Sequence, residues 1–138
     1  MKSKHSKILI CPRCTEDLEF TSDKISCISC KTDFKYENGL PLLFWKNEWV
    51  DSKDDVTEKI KSFYMEAPFP NYDHHESAIT LREKTRKQIF LQLLDDQIPY
   101  TGKILEVGCG TGQVCNLLAM TKTRTVFGTD ISVNSLKL

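Results

Sequence analysis

Apolar positions recur along this chain in two different periods, and each period predicts a different kind of element. Residues 104–107 (ILEV) and 125–130 (TVFGTD) are short apolar runs typical of buried parallel strands, and a helical pattern fills 113–120 between them. Upstream, a helix is predicted from residue 51 to before Pro68, and a longer helix from 76 to 98, because Pro99 stops it. The first predicted helix has one apolar face, formed by Val56, Ile60, Phe63 and Tyr64.

The first 45 residues have a different pattern, which predicts a small β unit. Leu18, Phe20 and Ile25 suit the strands of a hairpin, and residues 33–39 read as another strand that ends in an Asn-Gly turn. Two Cys-x2-Cys pairs, separated by twelve residues, lie within this region: Cys11, Cys14, Cys27 and Cys30. Four thiolates suit tetrahedral zinc, and so small a unit would need the metal as its core. Two disulfides, free thiols and an iron site are the alternatives.

Four cysteines would fill all the coordination positions of the metal, so its expected role is structural. The sequence thus predicts three parts: a zinc-ribbon module at 1–45, a helical lead-in with an aromatic-proline loop at 46–100, and a βαβ unit at 101–138. The apolar run after the basic N-terminus is too short for a secretory signal, and no run is long enough to span a membrane. A cytoplasmic protein is therefore expected.

Charge does not identify a macromolecular partner. The chain has 19 lysines and arginines and 19 aspartates and glutamates, and no segment concentrates the basic ones strongly. Nucleic acid is therefore neither indicated nor excluded. The basic residues of the long predicted helix are interpreted as a solvated face, and two adjacent histidines as surface residues. These residues are Arg82, Lys84, Arg86 and Lys87, and His74 and His75.

Glycines alternate where the first predicted strand ends, at Gly108, Gly110 and Gly112. Residues without a Cβ let the backbone turn sharply and approach a ligand closely. Asp130 follows Gly108 by 22 residues and ends the second strand, where an acid can accept hydrogen bonds from ribose hydroxyls. A dinucleotide loop would have a third glycine at the position of Gln113, and the carboxylate of Glu106 suits a cationic ammonium better than a pyrophosphate.

ILEVGCGTGQ at 104–113 followed by VFGTDIS at 126–132 closely resembles the first and second motifs of the class I S-adenosylmethionine-dependent methyltransferases. The resemblance implies an α/β fold class, the start of a Rossmann-like fold preceded by the small β zinc ribbon. It implies that Glu106, Gly108, Gly110 and Gly112 line the methionyl and adenosyl side of the cofactor, and that Asp130 takes the ribose hydroxyls. Cys109 is then a tolerated small residue, Cys115 a core residue, and the catalytic residues are unknown.

ILICPRCTEDLEF at 8–20, taken with ISCISCKTDFKYENGLPLLF at 25–44, resembles the small zinc-ribbon family that includes the activator subunit of tRNA and protein methyltransferases. That resemblance implies a folding element or a docking site for a protein partner. FYMEAPFPNY at 63–72 is similar to the lead-in of a bacterial and archaeal methyltransferase branch with a zinc ribbon in the same chain. It implies a lid near the cofactor that would include Phe69 and Tyr72, with local packing as the alternative.

A parallel sheet of two strands would leave its faces uncovered, so we expect the chain to be the N-terminal portion of a longer enzyme with negligible methyl transfer by itself. The methyl acceptor stays open between ribosomal or transfer RNA, a lipid or saccharide intermediate, and a small metabolite. Two other hypotheses compete: a zinc-ribbon interaction module without catalytic activity, and a zinc-ribbon nucleic-acid binder, which the near-zero charge of residues 1–45 weakens.

Overall fold

The structure is a computed structural model that describes residues 6–46, 56–70 and 77–138. The chain divides into two compact units, Met1–Ser52 and Lys53–Leu138. The described residues 56–70 and 77–138 belong to the second unit. In the described residues no helix is both long enough and apolar enough to cross a membrane.

The first unit consists of two small antiparallel sheets. After a 3₁₀ turn at Ser6–Ile8, strands β1 (Leu18–Phe20), β2 (Ile25–Cys27) and β3 (Asp33–Phe34) form a sheet in which β2 is central. Strands β4 (Tyr36–Glu37) and β5 (Leu40–Pro41) form a second, two-stranded sheet. Both residues of the intervening Asn-Gly turn have positive φ, as the tightest hairpin turns require.

The core of the first unit is very small. Its buried members are Cys11, Ile25, Cys27 and Phe34, so half of them are cysteines. Leu18, Phe20 and Tyr36 pack against this group but are only partly buried. So little apolar burial agrees with a unit that depends on something other than the hydrophobic effect for its stability.

The second unit begins with three helices, α1 (Thr57–Glu66), α2 (Ala78–Arg86) and α3 (Ile89–Gln97). They are followed by strand β6 (Lys103–Val107), helix α4 (Gln113–Ala119), strand β7 (Thr125–Thr129) and a single helical turn, α5 (Val133–Leu136). Strands β6 and β7 pair in parallel, from Lys103 opposite Thr125 to Val107 opposite Thr129. Helix α4 packs against β7, and α1 packs against α5.

The single helix predicted from 76 to 98 is wrong, because the structure has two helices separated at Gln88, whose backbone is extended. In one continuous helix, Leu81 and Leu94 would point about 140° apart, so both could not face the rest of the unit. The break resolves that conflict. Leu81 is buried and Leu94 is half-buried. The predicted helix ends before Pro68 and Pro99 are confirmed.

Arg124 joins the end of α3 to the start of β7. Its side chain is fully buried and pairs with the carboxylate of Asp95. The guanidinium also donates to the backbone carbonyls of Asp95 (2.7 Å), Ile98 (2.6 Å) and Pro99 (3.3 Å). The Asp95 and Ile98 carbonyls belong to the last turn and the C-cap of α3, where the helix leaves carbonyls without intrahelical partners, so Arg124 caps α3.

One face of the β6–β7 pair is uncovered in the described residues. Leu105 and Val107 of β6 are 63% and 80% exposed, whereas Ile104 and Glu106, on the other face, are half-buried. Apolar residues of α1 and α3 are exposed as well, including Phe63 and Phe90. A mixed α/β class with small sheets is thus confirmed. The described parallel sheet has two strands, and the larger Rossmann-like fold stays a prediction.

Candidate functional site

The four cysteines of the first unit converge on one point. Their sulfur atoms all lie within 4.8 Å of one another. The Cys11 and Cys30 sulfurs are 3.7 Å apart and those of Cys14 and Cys27 are 3.4 Å apart, so none of the four forms a disulfide. Thiolates bound to tetrahedral zinc at about 2.3 Å would lie about 3.8 Å from each other. The cluster is therefore compatible with a metal site.

Two similar turns aim these sulfurs at each other. In the first, the Cys11 amide donates to the Glu16 carbonyl at 2.8 Å, and in the second, the Cys27 amide donates to the Thr32 carbonyl at 2.9 Å. The residue after the second cysteine of each pair, Thr15 or Lys31, has a left-handed backbone. The Cys-x2-Cys spacing predicted the cluster, but neither left-handed residue is a glycine that would have marked its turn.

Thr32 is a contributor that the spacing of the cysteines did not reveal. Its hydroxyl lies 3.1 Å from the Cys30 sulfur. Hydrogen bonds with the Thr32 side chain and backbone lower the pKa of the Cys30 thiol to about 6. A thiolate is the form of cysteine that binds a metal, so Thr32 favours the binding-competent form of Cys30 at neutral pH.

The glycine loop follows β6 directly and leads into α4, as the sequence predicted. Gly108, Gly110 and Gly112 all have positive φ, between 55° and 79°, a region that residues with a Cβ rarely adopt. The amides of Gly108 and Cys109 donate to the Thr129 carbonyl at 2.8 and 3.0 Å. These bonds fasten the loop to the carboxyl end of β7.

Asp130 lies directly against this loop. One carboxylate oxygen, Oδ2, accepts a hydrogen bond from the Gly110 amide at 2.8 Å, and Oδ1 accepts one from the Ser132 amide at 2.8 Å. Each carboxylate oxygen has two lone pairs, so Asp130 keeps capacity for two further donors. The structure thus brings together Asp130 and the glycine loop, two elements that the sequence analysis assigned to one ligand.

Glu106 lies on the face of the sheet that α4 covers. The Cys115 thiol, in the first turn of α4, donates to Glu106 Oε2 at 2.8 Å. Burial, followed by the hydrogen bond and charge of Glu106, raises the pKa of Cys115 to about 12. Burial also raises the pKa of Cys109. Cys115 was predicted to be a core residue, but it is half-buried and bound to a carboxylate.

A segment before α2, residues 64–70, is attached to this region at both ends. The Ser132 hydroxyl donates to the Tyr64 carbonyl at 2.9 Å, and the side-chain Nδ2 of Asn134 donates to the Met65 carbonyl at 2.7 Å. At the other end, the Thr111 hydroxyl donates to the Pro70 carbonyl at 2.8 Å. The 64–70 segment therefore runs between the two loops that follow β6 and β7.

Gly110 is the point of closest approach of this segment. A Cβ added at Gly110 would lie 2.2 Å from the Phe69 carbonyl oxygen, a distance that no side chain tolerates. The Phe69 ring is 70% exposed, so the contact is made by the backbone and not by the aromatic side chain. Tyr72, His74 and His75 lie outside the described residues.

An open depression of about 450 Å³ lies elsewhere in this unit. Residues of α2, α3, α4 and the turn after α4 line it, including Arg82, Asp96 and Met120. It contains none of the glycine-loop residues, Glu106 or Asp130. The side chains of Arg82, Lys84 and Lys87 are exposed, in agreement with a solvated face.

Comparison of this chain with protein families, with curated proteins and with solved structures found no match. The resemblances to methyltransferases and to zinc ribbons therefore stay predictions that rest on the residues themselves.

Proposed function

We propose that the glycine loop and Asp130 bind S-adenosylmethionine, and that the protein takes part in methyl transfer from it to an acceptor not yet identified. The observation that carries this proposal is the 2.8 Å hydrogen bond between the Gly110 amide and Asp130. This hydrogen bond joins Asp130, which follows strand β7, to the left-handed glycine loop, which follows the parallel strand β6. In sheets of this kind, ligands bind at the carboxyl ends of the strands.

The charges around the loop support a cationic ligand over a dinucleotide. Neither residues 108–112 nor residues 130–132 include a lysine or arginine, while Glu106 and Asp130 contribute two carboxylates. A pyrophosphate would be repelled by these groups and would find no basic side chain in the loop. The ammonium and sulfonium groups of S-adenosylmethionine have the complementary sign.

The roles of the chain's own residues follow from their positions. The unused lone pairs of Asp130 would accept the ribose hydroxyls, and the glycine loop would let the cofactor approach backbone atoms. Glu106 would offer its carboxylate to the ammonium group. When bound, S-adenosylmethionine would supply an activated methyl group for transfer to the acceptor, and the part of these residues would be to bind and orient it.

For the first unit, we propose that Cys11, Cys14, Cys27 and Cys30 hold a structural zinc ion. The sulfur separations of 3.4 and 3.7 Å support a tetrahedral thiolate site. Four protein ligands leave no position for substrate, so the ion would stabilise the fold and not take part in the chemistry. We also assign the protein to the cytoplasm, where reducing conditions keep such thiols available. Elemental analysis that finds iron in place of zinc would overturn the assignment of zinc.

A second candidate function is a protein-interaction module built on the first unit. Three isoleucines beside or within its cysteine turns, Ile8, Ile10 and Ile28, are about half exposed. Apolar groups in such positions are available to a protein partner. If the second unit did not bind the cofactor, protein interaction would be the remaining candidate function.

Calorimetric titration of the zinc-loaded protein with S-adenosylmethionine tests the main proposal, with NAD as the control ligand. Asp130→Asn should weaken binding at least tenfold, because the amide cannot accept as many hydrogen bonds as the carboxylate. Asp96→Asn, at an exposed acid of α3, is the matched control and should bind like the wild type. Circular dichroism of each variant checks that the fold is intact.

Two results would overturn the proposal. One is the absence of saturable binding to S-adenosylmethionine by the wild-type chain. The other is equal affinity in the wild type and in a folded Asp130→Asn variant, because Asp130 would then have no part in the site.

A further inference from the structure

The contact between Glu106 and Cys115 follows from the register of the two parallel strands. Glu106 of β6 lies directly opposite Gly128 of β7. Helix α4 packs over this pair, and its first turn carries Cys115. The thiol can therefore reach Oε2 of Glu106 across the position where β7 has no side chain.

This arrangement requires a glycine at position 128, because a side chain there would collide with two sulfur atoms. A Cβ at this position would lie 2.8 Å from the Cys109 sulfur and 2.9 Å from the Cys115 sulfur. Such contacts are too close for any side chain, so even alanine would displace one of the sulfurs. The missing side chain thus leaves room for the Cys109 and Cys115 sulfurs beside Gly128, and Cys115 donates from there to Glu106.

Cys115 is the hydrogen-bond donor to the Glu106 carboxylate in this structure. Within the described parts of the chain, no lysine or arginine pairs with this carboxylate, and its side-chain hydrogen bond is the one from Cys115. A glutamate side chain that lacks such a partner retains its rotational freedom, which a ligand would then have to remove.

We propose that Cys115 is a positioning residue: its thiol donates to Glu106 and holds the carboxylate ready for the ammonium group of the cofactor. The inference rests on the proposed function, since a fixed carboxylate matters only if a cationic ligand uses it. Cys115 acts through Glu106 and does not itself touch the ligand. By holding the Glu106 carboxylate in place before the ligand binds, Cys115 would reduce the entropy cost of binding.

The first test measures the thiol itself and needs no cofactor. Iodoacetamide alkylation of Cys115 is followed by peptide mass spectrometry near pH 9 in the wild type and in Glu106→Gln. Removing the carboxylate should lower the Cys115 pKa, and a fall of one unit gives roughly threefold faster alkylation once the lower nucleophilicity is included. Cys109, read from the same digest, should change less, because burial and Asp130 affect it more than Glu106 does. Equal Cys115 rates in both proteins would overturn the hydrogen bond.

The second test is a double-mutant cycle on the affinity for S-adenosylmethionine. Cys115→Ala should weaken binding about three- to tenfold, and Cys115→Ser, which keeps a donor, should restore most of it. In the Glu106→Gln background, Cys115→Ala should have no further effect, because the residue acts through Glu106. A merely structural role would instead give the same loss in both backgrounds.

The outcomes separate this inference from the proposed function. If the wild type does not bind S-adenosylmethionine, the proposed function and the role of Cys115 toward the cofactor both fail, while the alkylation rates still decide the hydrogen bond. If the wild type binds and Cys115→Ala binds equally well, the positioning role alone is overturned. Additive losses in the cycle overturn it too.

Discussion

The four-cysteine unit and the glycine-loop unit arrange their candidate sites by opposite means. In the first, four side chains converge on one point, and among the residues described there the buried core around them has two other members, Ile25 and Phe34. In the second, the main chain forms most of the candidate site, through strand register, left-handed glycines and hydrogen bonds to main-chain carbonyls. A metal would therefore govern the stability of the first unit, whereas hydrogen-bonded contacts between distant segments hold the second together.

Metal removal should have the largest effect of the changes considered, and it should affect the two units differently. Chelation of the proposed zinc is expected to unfold the first unit, because so small a core cannot replace the metal's contribution. The second unit should keep its structure. Amide signals in two-dimensional NMR spectra report on each unit separately: those of residues 8–45 should collapse and those of 103–138 should persist.

A matched pair of cysteine variants sharpens that test. Cys27→Ser should abolish stoichiometric metal in native mass spectra, while Cys109→Ser should retain it, although both cysteines are buried. Fully dispersed signals for residues 8–45 in metal-free protein would show that the first unit needs no metal.

Arg124→Met should have the next largest effect, and only on the second unit. The substitution removes a fully buried guanidinium and leaves the carboxylate of Asp95 and several carbonyls of α3 without their donor. The Asp95 side chain is 37% exposed, so most of the cost comes from the carbonyls that lose a charged donor, together about 3 kcal/mol of unfolding free energy. Urea denaturation followed by amide signals of 103–138 measures the change.

Arg82→Met is the control for this substitution, because it removes a guanidinium from an exposed position of α2. It should change the unfolding free energy by about 0.5 kcal/mol or less. Equal stability of the two variants would mean that Arg124 does not cap α3. A change in the amide signals of the first unit would contradict the expectation that the effect is confined to the second.

The sequence predicted the local features of both units better than the long-range ones. The Cys-x2-Cys spacing predicted the metal-compatible cluster, and alternating glycines predicted a sharply turning loop at the end of the first strand of the βαβ unit. Both signals lie within a few residues, where the chemistry of cysteine and the missing Cβ of glycine act directly. The parallel pairing of β6 and β7 was also predicted, because each strand is a short apolar run flanking a helical pattern.

Contacts between distant segments were not predictable in the same way. The 64–70 segment lies against Thr111, 41 residues further along than Pro70, and Cys115 reaches Glu106 only because Gly128 lies opposite that glutamate. Such contacts depend on register and helix placement, which a single sequence does not specify. The break at Gln88 was missed for a similar reason, since no proline or glycine marks it.

Gly110→Ala should destabilise the second unit more than Gly108→Ala does. Both positions have positive φ, which costs a residue with a Cβ about 1 kcal/mol. At Gly110 the methyl group would also strike the Phe69 carbonyl, whereas nothing lies within 4 Å of the Cβ position at Gly108. The Gly110 variant should therefore lose about 2 to 3 kcal/mol in urea denaturation. Equal losses would indicate that the 64–70 segment does not rest on the loop.

Thr111→Val should have the smallest effect, because it removes one hydrogen bond and keeps the shape of a buried side chain. The Thr111 hydroxyl donates to Pro70, so its loss should lower the unfolding free energy by about 1 kcal/mol. Thr111→Ser keeps the hydroxyl and is the control. Hydrogen exchange at the Thr111 amide, which donates to Phe69, gives a local readout: exchange should quicken in the valine variant as the 64–70 segment loosens. Identical exchange in the valine and serine variants would mean that the hydroxyl does not secure the segment, and that the backbone of the glycine loop holds it alone.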